Sequence, residues 1–370
     1  MIKKPNVLED IKRLIFPDQN DQLWIRGEHK SLIENFIAKP KLATARDLYN
    51  FIQKSHEKER VFTFMDDLRL YEETLIKILP EQRDHYLHSA SVYLLGLAIY
   101  NSCTRIRDAV KIDRYSTDSD SKKKSFLFRW SLSACLHDIA YPLELTLKSF
   151  NKYSTKLHEI HQDNFSFVTI DRDLYERLNL LPKIKPEELE LPGFEKKDTA
   201  LGLISNRLVN NGTGCSRISY DTLLHIIDKY FESNLKNGKI DHGAFSAIVL
   251  LNRLHDLYVK NKWQTEGFYV EVVDAATAIF LHNSYRFSIL KQLFGNGIYK
   301  YNSPSPLGYL LFLCDSLCEW LRGKSRDAHH FGINVQDNII KYKAPKKVKK
   351  NIEEARLLFD NRIEVDVIYQ

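Results

Sequence analysis

Long apolar runs are missing from this 370-residue sequence. Its most apolar window, Gly308 to Cys314, is cut off by Asp315, far short of the roughly 18 apolar residues that a membrane span needs. The N-terminus, MIKKPNVLEDIKRLIF, mixes acids with bases and has neither the apolar core nor the small-residue cleavage site of a secretory signal, so a cytoplasmic location is expected. Cysteine is scarce: five, at 103, 135, 215, 314 and 318, in no paired C-x-x-C spacing. That pattern excludes a disulfide scaffold and argues against a zinc knuckle; reduced, mostly buried thiols are expected, with Cys314 and Cys318 packing one helical turn apart. Several nucleotide and hydrolase signatures are also absent. NNGTGC (210–215) is not followed by the Gly-Lys-Ser/Thr of a P-loop, and no G-x-G-x-x-G follows a strand. There is no G-x-S-x-G elbow and no His-Glu-x-x-His helix. No internal repeat is apparent.

Neither sign of charge dominates, since 54 Lys+Arg face 48 Asp+Glu for a formal net charge of +6. With 44% hydrophobic and 28% charged residues, the chain is neither disordered nor collagen-like, and it is long enough to bury a sizeable core. The positive surplus is local. KYKAPKKVKK (341–350) carries six lysines and no acid. One reading is a solvated linker or edge; the other is contact with phosphate on a nucleic acid or partner. Only Tyr342 interleaves the lysines, which gives little support to a stacking platform for single strands.

What the sequence does have is helical periodicity. Apolar residues recur three and four apart near 5–16, 28–38, 44–55, 63–79, 84–111, 125–139, 221–236, 241–260, 270–282, 285–294 and 306–322. YLHSASVYLLGLAIY (86–100) is apolar almost all round and predicts a central buried helix. A polar break, STDSDSKKKS (116–125), precedes FLFRWSLSACLHDIAYP, where Pro142 is expected to end the helix. Between about 150 and 220 prolines, glycines and polar loops weaken the pattern, which reads as an irregular insertion of loops and short helices. In the tail, GINVQDNIIKY (332–342) and NRIEVDVIY (361–369) alternate like strands around a short helix, 351–359. The expected organisation is mainly α: an N-terminal helical segment (1–79), a helical body (80–325) and a small C-terminal α/β extension (326–370).

Candidate chemistry lies in single polar residues set into apolar helical stretches: His88, the adjacent pair His137-Asp138, His242, His282 and Asp315. Two ionisable neighbours at the end of LFRWSLSACL are costly unless paired or bound to metal. An imidazole and a carboxylate about 100° apart on a helix can reach two neighbouring metal sites, and divalent cations accept such mixed N/O ligands. A second His-Asp dipeptide, His255-Asp256, reads as structural. His158 and His161 fall in the irregular insertion, as solvated loop residues or as part of a lid.

The order His88 … His137-Asp138 … Asp315 resembles the H…HD…D signature of the HD-domain superfamily of metal-dependent phosphohydrolases. CLHDIAYP is similar to that family's LLHDIGYP-like text, His88-Ser89-Ala90-Ser91-Val92 to its HS-x-x-V opening, and Asp315 to Arg322 to its D-x-x-x-E-W-x-R close. His242 in D-H-G-x-x-S-A and His282 in A-I-x-x-H-N resemble the extra ligands of binuclear branches, the HD-GYP and cyclic-nucleotide phosphodiesterases. Ala140 stands where many members carry Gly, and Tyr141 stands where HD-GYP enzymes carry a lysine.

The resemblance implies an HD-type helical bundle over 80–325 and the ligands His88, His137, Asp138, His242, His282 and Asp315. Asp138 would bridge two divalent ions, with Mn, Fe, Mg, Zn, Co and Ni not distinguishable. It further implies hydrolysis of a phosphoester, in a nucleotide or nucleic acid, by a metal-activated hydroxide. His85, one turn before His88, is a candidate proton donor or a partner of the site. Arg322 is a candidate phosphate ligand or a surface ion-pair residue. The substrate would be a phosphorylated small molecule or nucleic acid; no membrane partner is expected, and self-association is left open. The alternative function is a non-catalytic HD-fold module that binds a nucleotide or protein partner.

Overall fold

The computed structural model describes residues 6–17, 25, 27–55, 70, 85–111, 119–150, 172–181, 199–211, 219–236, 239–263, 265–283, 305–320, 328–336, 338–356 and 364–369. Among these the protein is mainly α-helical, and its strands form one three-stranded sheet near the C-terminus. The expected helix at 63–79, apart from residue 70, and that at 285–294, with His158, His161, Cys215 and Arg322, lie outside the described residues. No described helix is long and apolar enough to cross a membrane.

Three N-terminal helices, α1 (Val7–Ile15), α2 (Gly27–Ala38) and α3 (Leu42–Ser55), each turn one apolar stripe inward. On α1 that stripe is Val7, Leu8, Ile11 and Ile15, and Asn6 caps the helix by accepting a hydrogen bond from Leu8 N at 3.1 Å. Next comes α4 (His85–Ser102), with every residue from His85 to Asn101 buried, as its all-round apolar sequence predicts. Gly96 allows the Trp130 indole to press against the α4 backbone, and Trp130 Nε1 donates to Tyr93 O at 2.9 Å.

The expected helix over 84–111 is broken at Cys103, whose backbone is extended before α5 (Thr104–Ala109) begins. Side chains satisfy the interrupted ends: Arg107 donates to Asn101 O at 2.9 Å, and Asn338 Oδ1 accepts from Arg105 N at 3.0 Å. Helix α6 (Ser119–Leu136) starts inside the expected polar break, because the lysines at 122–124 are good helix formers that need no buried face. It also ends before Pro142. Residues 137–140 form a turn, and Pro142 sits in the first turn of α7 (141–150), where its missing N–H leaves no bond unmade.

Within the stretch 150–220 the described residues are 150, 172–181, 199–211 and 219–220. The stretch contributes α8 (Arg172–Asn179) and α9 (Ala200–Asn211), and Ala200, Leu201, Ile204 and Leu208 of α9 enter the core. Helices α10 (Tyr220–Lys236) and α11 (His242–Asn261) follow. A helical run from Thr265 passes through a π-helical segment, Phe268–Val272, into α12 (Val273–His282), which is buried along its whole length. It packs against α6, α9, α11 and α13 (Pro306–Leu317).

The tail holds β1 (Gly332–Gln336), β2 (Ile339–Ala344), α14 (Lys349–Arg356) and β3 (Glu364–Tyr369). Strand β2 is central, antiparallel to β1 and parallel to β3. The lysine-rich stretch is therefore neither linker nor edge: Tyr342, Ala344 and Val348 are core residues, while the lysines between them stay at the surface or half-buried. Tyr342 donates from its hydroxyl to Leu317 O, tying the sheet to the end of α13. One continuous hydrophobic core runs from Val7 to Val365. The four described cysteines are buried and form no disulfide among the described residues.

Candidate metal centre

Helix ends meet at one end of the bundle. His85 and His88 stand on the first turn of α4, His137 and Asp138 just beyond α6, His242 at the start of α11, His282 at the end of α12, and Asp315 in the last turn of α13. Spacing of three puts His85 and His88 on neighbouring positions of one face. His242 is held there because Asp241 caps α11, accepting from Gly243 N at 3.0 Å and Ala244 N at 3.4 Å. Gly243 is required by crowding: a Cβ there would meet His282 Cε1 at 2.9 Å and Asn283 Cβ at 3.1 Å.

Asp138 is the hub. Its Oδ2 lies 3.0 Å from His85 Nδ1 and 3.2 Å from His137 Nε2, and its Oδ1 lies 3.3 Å from His242 Nε2 and 3.7 Å from His282 Nε2. His88 Nε2 contacts Asp315 Oδ1 at 2.8 Å, and His137 Nε2 is 4.0 Å from the same oxygen. Two groups of ligand-type atoms result, each with all atoms within 4.8 Å of one another: His88, His137 and Asp138, and Asp138, His242 and His282. Asp138 belongs to both. Asp315 is joined to the first through His88. Side-chain exposure is 8% at Asp138, 11% at His242 and 18% at Asp315, but at most 2% at His85, His88, His137 and His282. Approach from solvent is thus on the His242–Asp315 side.

The ring tautomers sharpen the chemistry. His137 Nδ1 lies 3.0 Å from Ala134 O and His282 Nδ1 lies 2.6 Å from Ile279 O, so both rings carry their hydrogen on Nδ1 and turn Nε2 toward Asp138. His137 Nε2 is buried without a hydrogen bond, although a carboxylate oxygen is 3.2 Å away. A nitrogen lone pair facing an anionic oxygen needs a positive charge between them, supplied by a proton or by a metal ion. Burial works against charge on Asp138, yet the surrounding imidazoles of His137, His242 and His282 hold its carboxyl well below the usual range. Burial likewise opposes protonation of His242, but the Asp138 and Glu144 carboxylates push it up to about 10. His137 is raised in the same way against burial, by Asp138 and then Asp315. The donor set, the orphaned Nε2 and the interatomic spacing all fit one or two divalent cations of borderline hardness.

Several residues of the site were not foreseen from sequence. Glu144, on α7, accepts from His242 Nδ1 at 2.6 Å and from His242 N at 3.1 Å. Asn283 donates to Asp241 Oδ1 at 3.0 Å. Tyr141 lies against the His85 ring, centroids 4.0 Å apart, and meets the His242 ring edge-on at 5.2 Å. Ser246 Oγ accepts from Ala140 N at 3.0 Å and so fixes the turn that carries the His-Asp pair. A signal for Glu144 was present, an acid six residues beyond Asp138, but it lay past the proline taken as the end of the helix. His255 is remote from this cluster; it is buried with its ring edge-on to Phe268, and Asp256 pairs with Lys260.

No protein-family model, curated protein or solved structure matches this chain.

Proposed function

We propose that this protein is a metal-dependent phosphohydrolase of the HD type, cleaving a phosphoester of a nucleotide or nucleic acid at a two-metal centre. The observation that carries the reading is the shared carboxylate: Asp138 stands between two buried His-containing groups, each able to take an ion. Divalent ions in such a centre lower the pKa of water to give a nucleophile and neutralise charge on the phosphoryl oxygens. His88, His137, Asp138 and Asp315 would hold one ion, and Asp138, His242 and His282 the other.

The remaining roles follow from contacts. Hydrogen bonds from His137 and His282 to backbone carbonyls keep each Nδ1 protonated and each Nε2 available. Glu144 orients the His242 ring through Nδ1 in the same manner. His85 holds a proton at Nδ1 toward Asp138 Oδ2, which places it to steady that carboxylate or to pass a proton to the leaving oxygen. Arg322 is the proposed phosphate ligand, seven residues after Asp315 in sequence.

Metal analysis joined to a turnover screen over nucleotides, cyclic dinucleotides and single-stranded DNA tests the reading. Two equivalents of metal per chain, hydrolysis of at least one phosphoester, and loss of both in Asp138→Asn with the fold retained is the expected result. Metal and ligand binding without turnover would make the protein a non-catalytic HD-type module. Retention of metal and turnover in Asp138→Asn would overturn the assignment.

A further inference from the structure

A cleft that contains none of the candidate metal ligands lies beside the C-terminal sheet. Helix α1 and the outer face of the C-terminal sheet enclose this cleft of about 450 Å³, lined by Asp10, Arg13 and Leu14 of α1, by Gly332 and Asn334 of β1, by Lys341 and Lys343 of β2, and by Ile368 of β3. That volume is in the range of small-molecule pockets, about 300–1,000 Å³. Register explains why it exists. Gly332 pairs with Lys343 and Asn334 with Lys341, while Lys343 pairs with Ile368, so these side chains share the outer face; Gly332, with no side chain, leaves the floor open.

Its electrostatics are one-sided. Three cations, Arg13, Lys341 and Lys343, line the cleft against one acid, Asp10. Asp10 is already committed: it pairs with Arg13 and accepts from Ile333 N at 3.1 Å. Asp366 neighbours Lys341 on β3 but forms no ion pair with it among the contacts of the described residues. Beside the cations Ile368 is 52% exposed, a large apolar side chain at the cleft wall, with Leu14 half-buried opposite. Multiple cations next to an uncovered apolar wall match a ligand with a multiply charged head and an apolar or aromatic body.

We infer that this cleft binds a small organic phosphate, its phosphate groups on Arg13, Lys341 and Lys343 and its apolar body on Ile368 and Leu14. The Arg13 guanidinium keeps donors beyond those used on Asp10 for a phosphate fork, and the two lysines act as point charges. The inference goes beyond the hydrolase reading and does not rest on it, since the cleft contains none of the proposed metal ligands.

Calorimetry with ADP and with pyrophosphate on the full chain, in excess chelator, tests the site. ADP is expected to bind once per chain and at least tenfold more tightly than pyrophosphate. A Lys341→Gln, Lys343→Gln double variant should weaken both ligands at least tenfold, whereas Ile368→Ser should weaken ADP and leave pyrophosphate unchanged. Asp138→Asn should bind ADP as the parent does, which separates this site from the metal centre. The inference is overturned by the absence of saturable binding at millimolar ADP, or by binding that persists in a folded double variant. It is equally overturned if binding is lost only in Asp138→Asn. Preferential binding of a single-stranded oligonucleotide, removed by Gln at Lys346, Lys347, Lys349 and Lys350, would also replace it, because those lysines do not line the cleft.

Discussion

Two of the carboxylates buried among the described residues, Asp274 and Asp138, are satisfied in opposite ways. Asp274 on α12 is 3% exposed; Arg129 of α6 donates to its Oδ2 at 2.7 Å, and Arg207 of α9 donates twice to its Oδ1, at 3.1 and 2.8 Å. Arg129 also donates to Val110 O at 2.7 Å. Burial alone would raise the Asp274 carboxyl, but the Arg207 and Arg129 guanidiniums hold it below its ordinary value. Asp138, 6% exposed, has no arginine partner among the described residues and is ringed by four imidazoles instead. Arginine is always charged, so the Asp274 carboxylate is permanently compensated and the network is structural. Imidazole is charged only when protonated, and its neutral form is a metal ligand, so the Asp138 cluster can exchange protons for ions. The difference separates a fixed anchor from a cluster that could hold a metal ion.

The most severe test of that contrast is to neutralise each carboxylate. Asp274→Asn leaves the buried Arg129 and the part-buried Arg207 guanidiniums without their anion and should cost about 3–5 kcal/mol of stability, the usual effect of removing one partner from a buried ion pair. Asp138→Asn should cost only about 1 kcal/mol, an ordinary substitution, because its neighbours can lose their charge, while removing metal binding. Chemical denaturation and metal content decide; equal destabilisation by the two variants would erase the distinction.

A steric change at the cluster should act on metal and spare the anchor. Gly243→Val forces His282 and Asn283 aside, so metal stoichiometry is expected to fall toward one equivalent while the Asp274 network keeps the fold intact. Glu144→Gln is gentler. It removes the charge that orients His242 and should weaken metal affinity about 10–100-fold, the usual effect of losing such a partner. Isothermal titration of each variant with Mn²⁺ checks both, and parent-like affinity in Glu144→Gln would show that His242 needs no orienting carboxylate.

The smallest effect concerns pH away from both carboxylates. Burial lowers the His29 imidazole to about 4, and the ring stacks on Phe51 with centroids 4.7 Å apart. The native state therefore prefers neutral His29, whose ordinary value is 6.5. Its stabilising contribution is full above the unfolded value and is lost as pH falls from about 6.5 toward 4, because the unfolded chain then binds the proton first. Asp274 acts in a lower window: its depressed carboxyl contributes stability above the usual carboxylate range and loses it only below. His29→Gln should flatten the acid-side decline between pH 6.5 and 5 in thermal denaturation scans. An unchanged slope would place the sensitive group elsewhere.

Much of the fold could be read locally. Apolar spacing located α1, α4, α11, α12 and α13, and strand alternation located the sheet, because those patterns reflect which face of an element is buried. The failures are equally local in origin. Pro142 reads as a stop in sequence and is a start in the fold, since proline is excluded from a helix interior but welcome in a first turn. Helix α9 was hidden by flanking loop residues. The polar side chains inside apolar helices marked His88, His137, Asp138, His242, His282 and Asp315 as candidates, because an uncompensated polar group there is costly.

Sequence by itself determined which segments are helical, where strands occur and which polar residues are stranded in apolar surroundings. These are consequences of short-range periodicity and desolvation, and they need no partner to be known. Tertiary structure alone decided that the ends of α4, α6, α11, α12 and α13 meet, that His88 reaches Asp315 across 227 positions, and that Asp138 serves both ligand groups. It alone brought Glu144 to His242 across 98 positions and set Arg129 and Arg207 on Asp274 across 145 and 67. Such contacts depend on helix packing and chain path, where each pairing is fixed by the whole core rather than by the residues on either side of it.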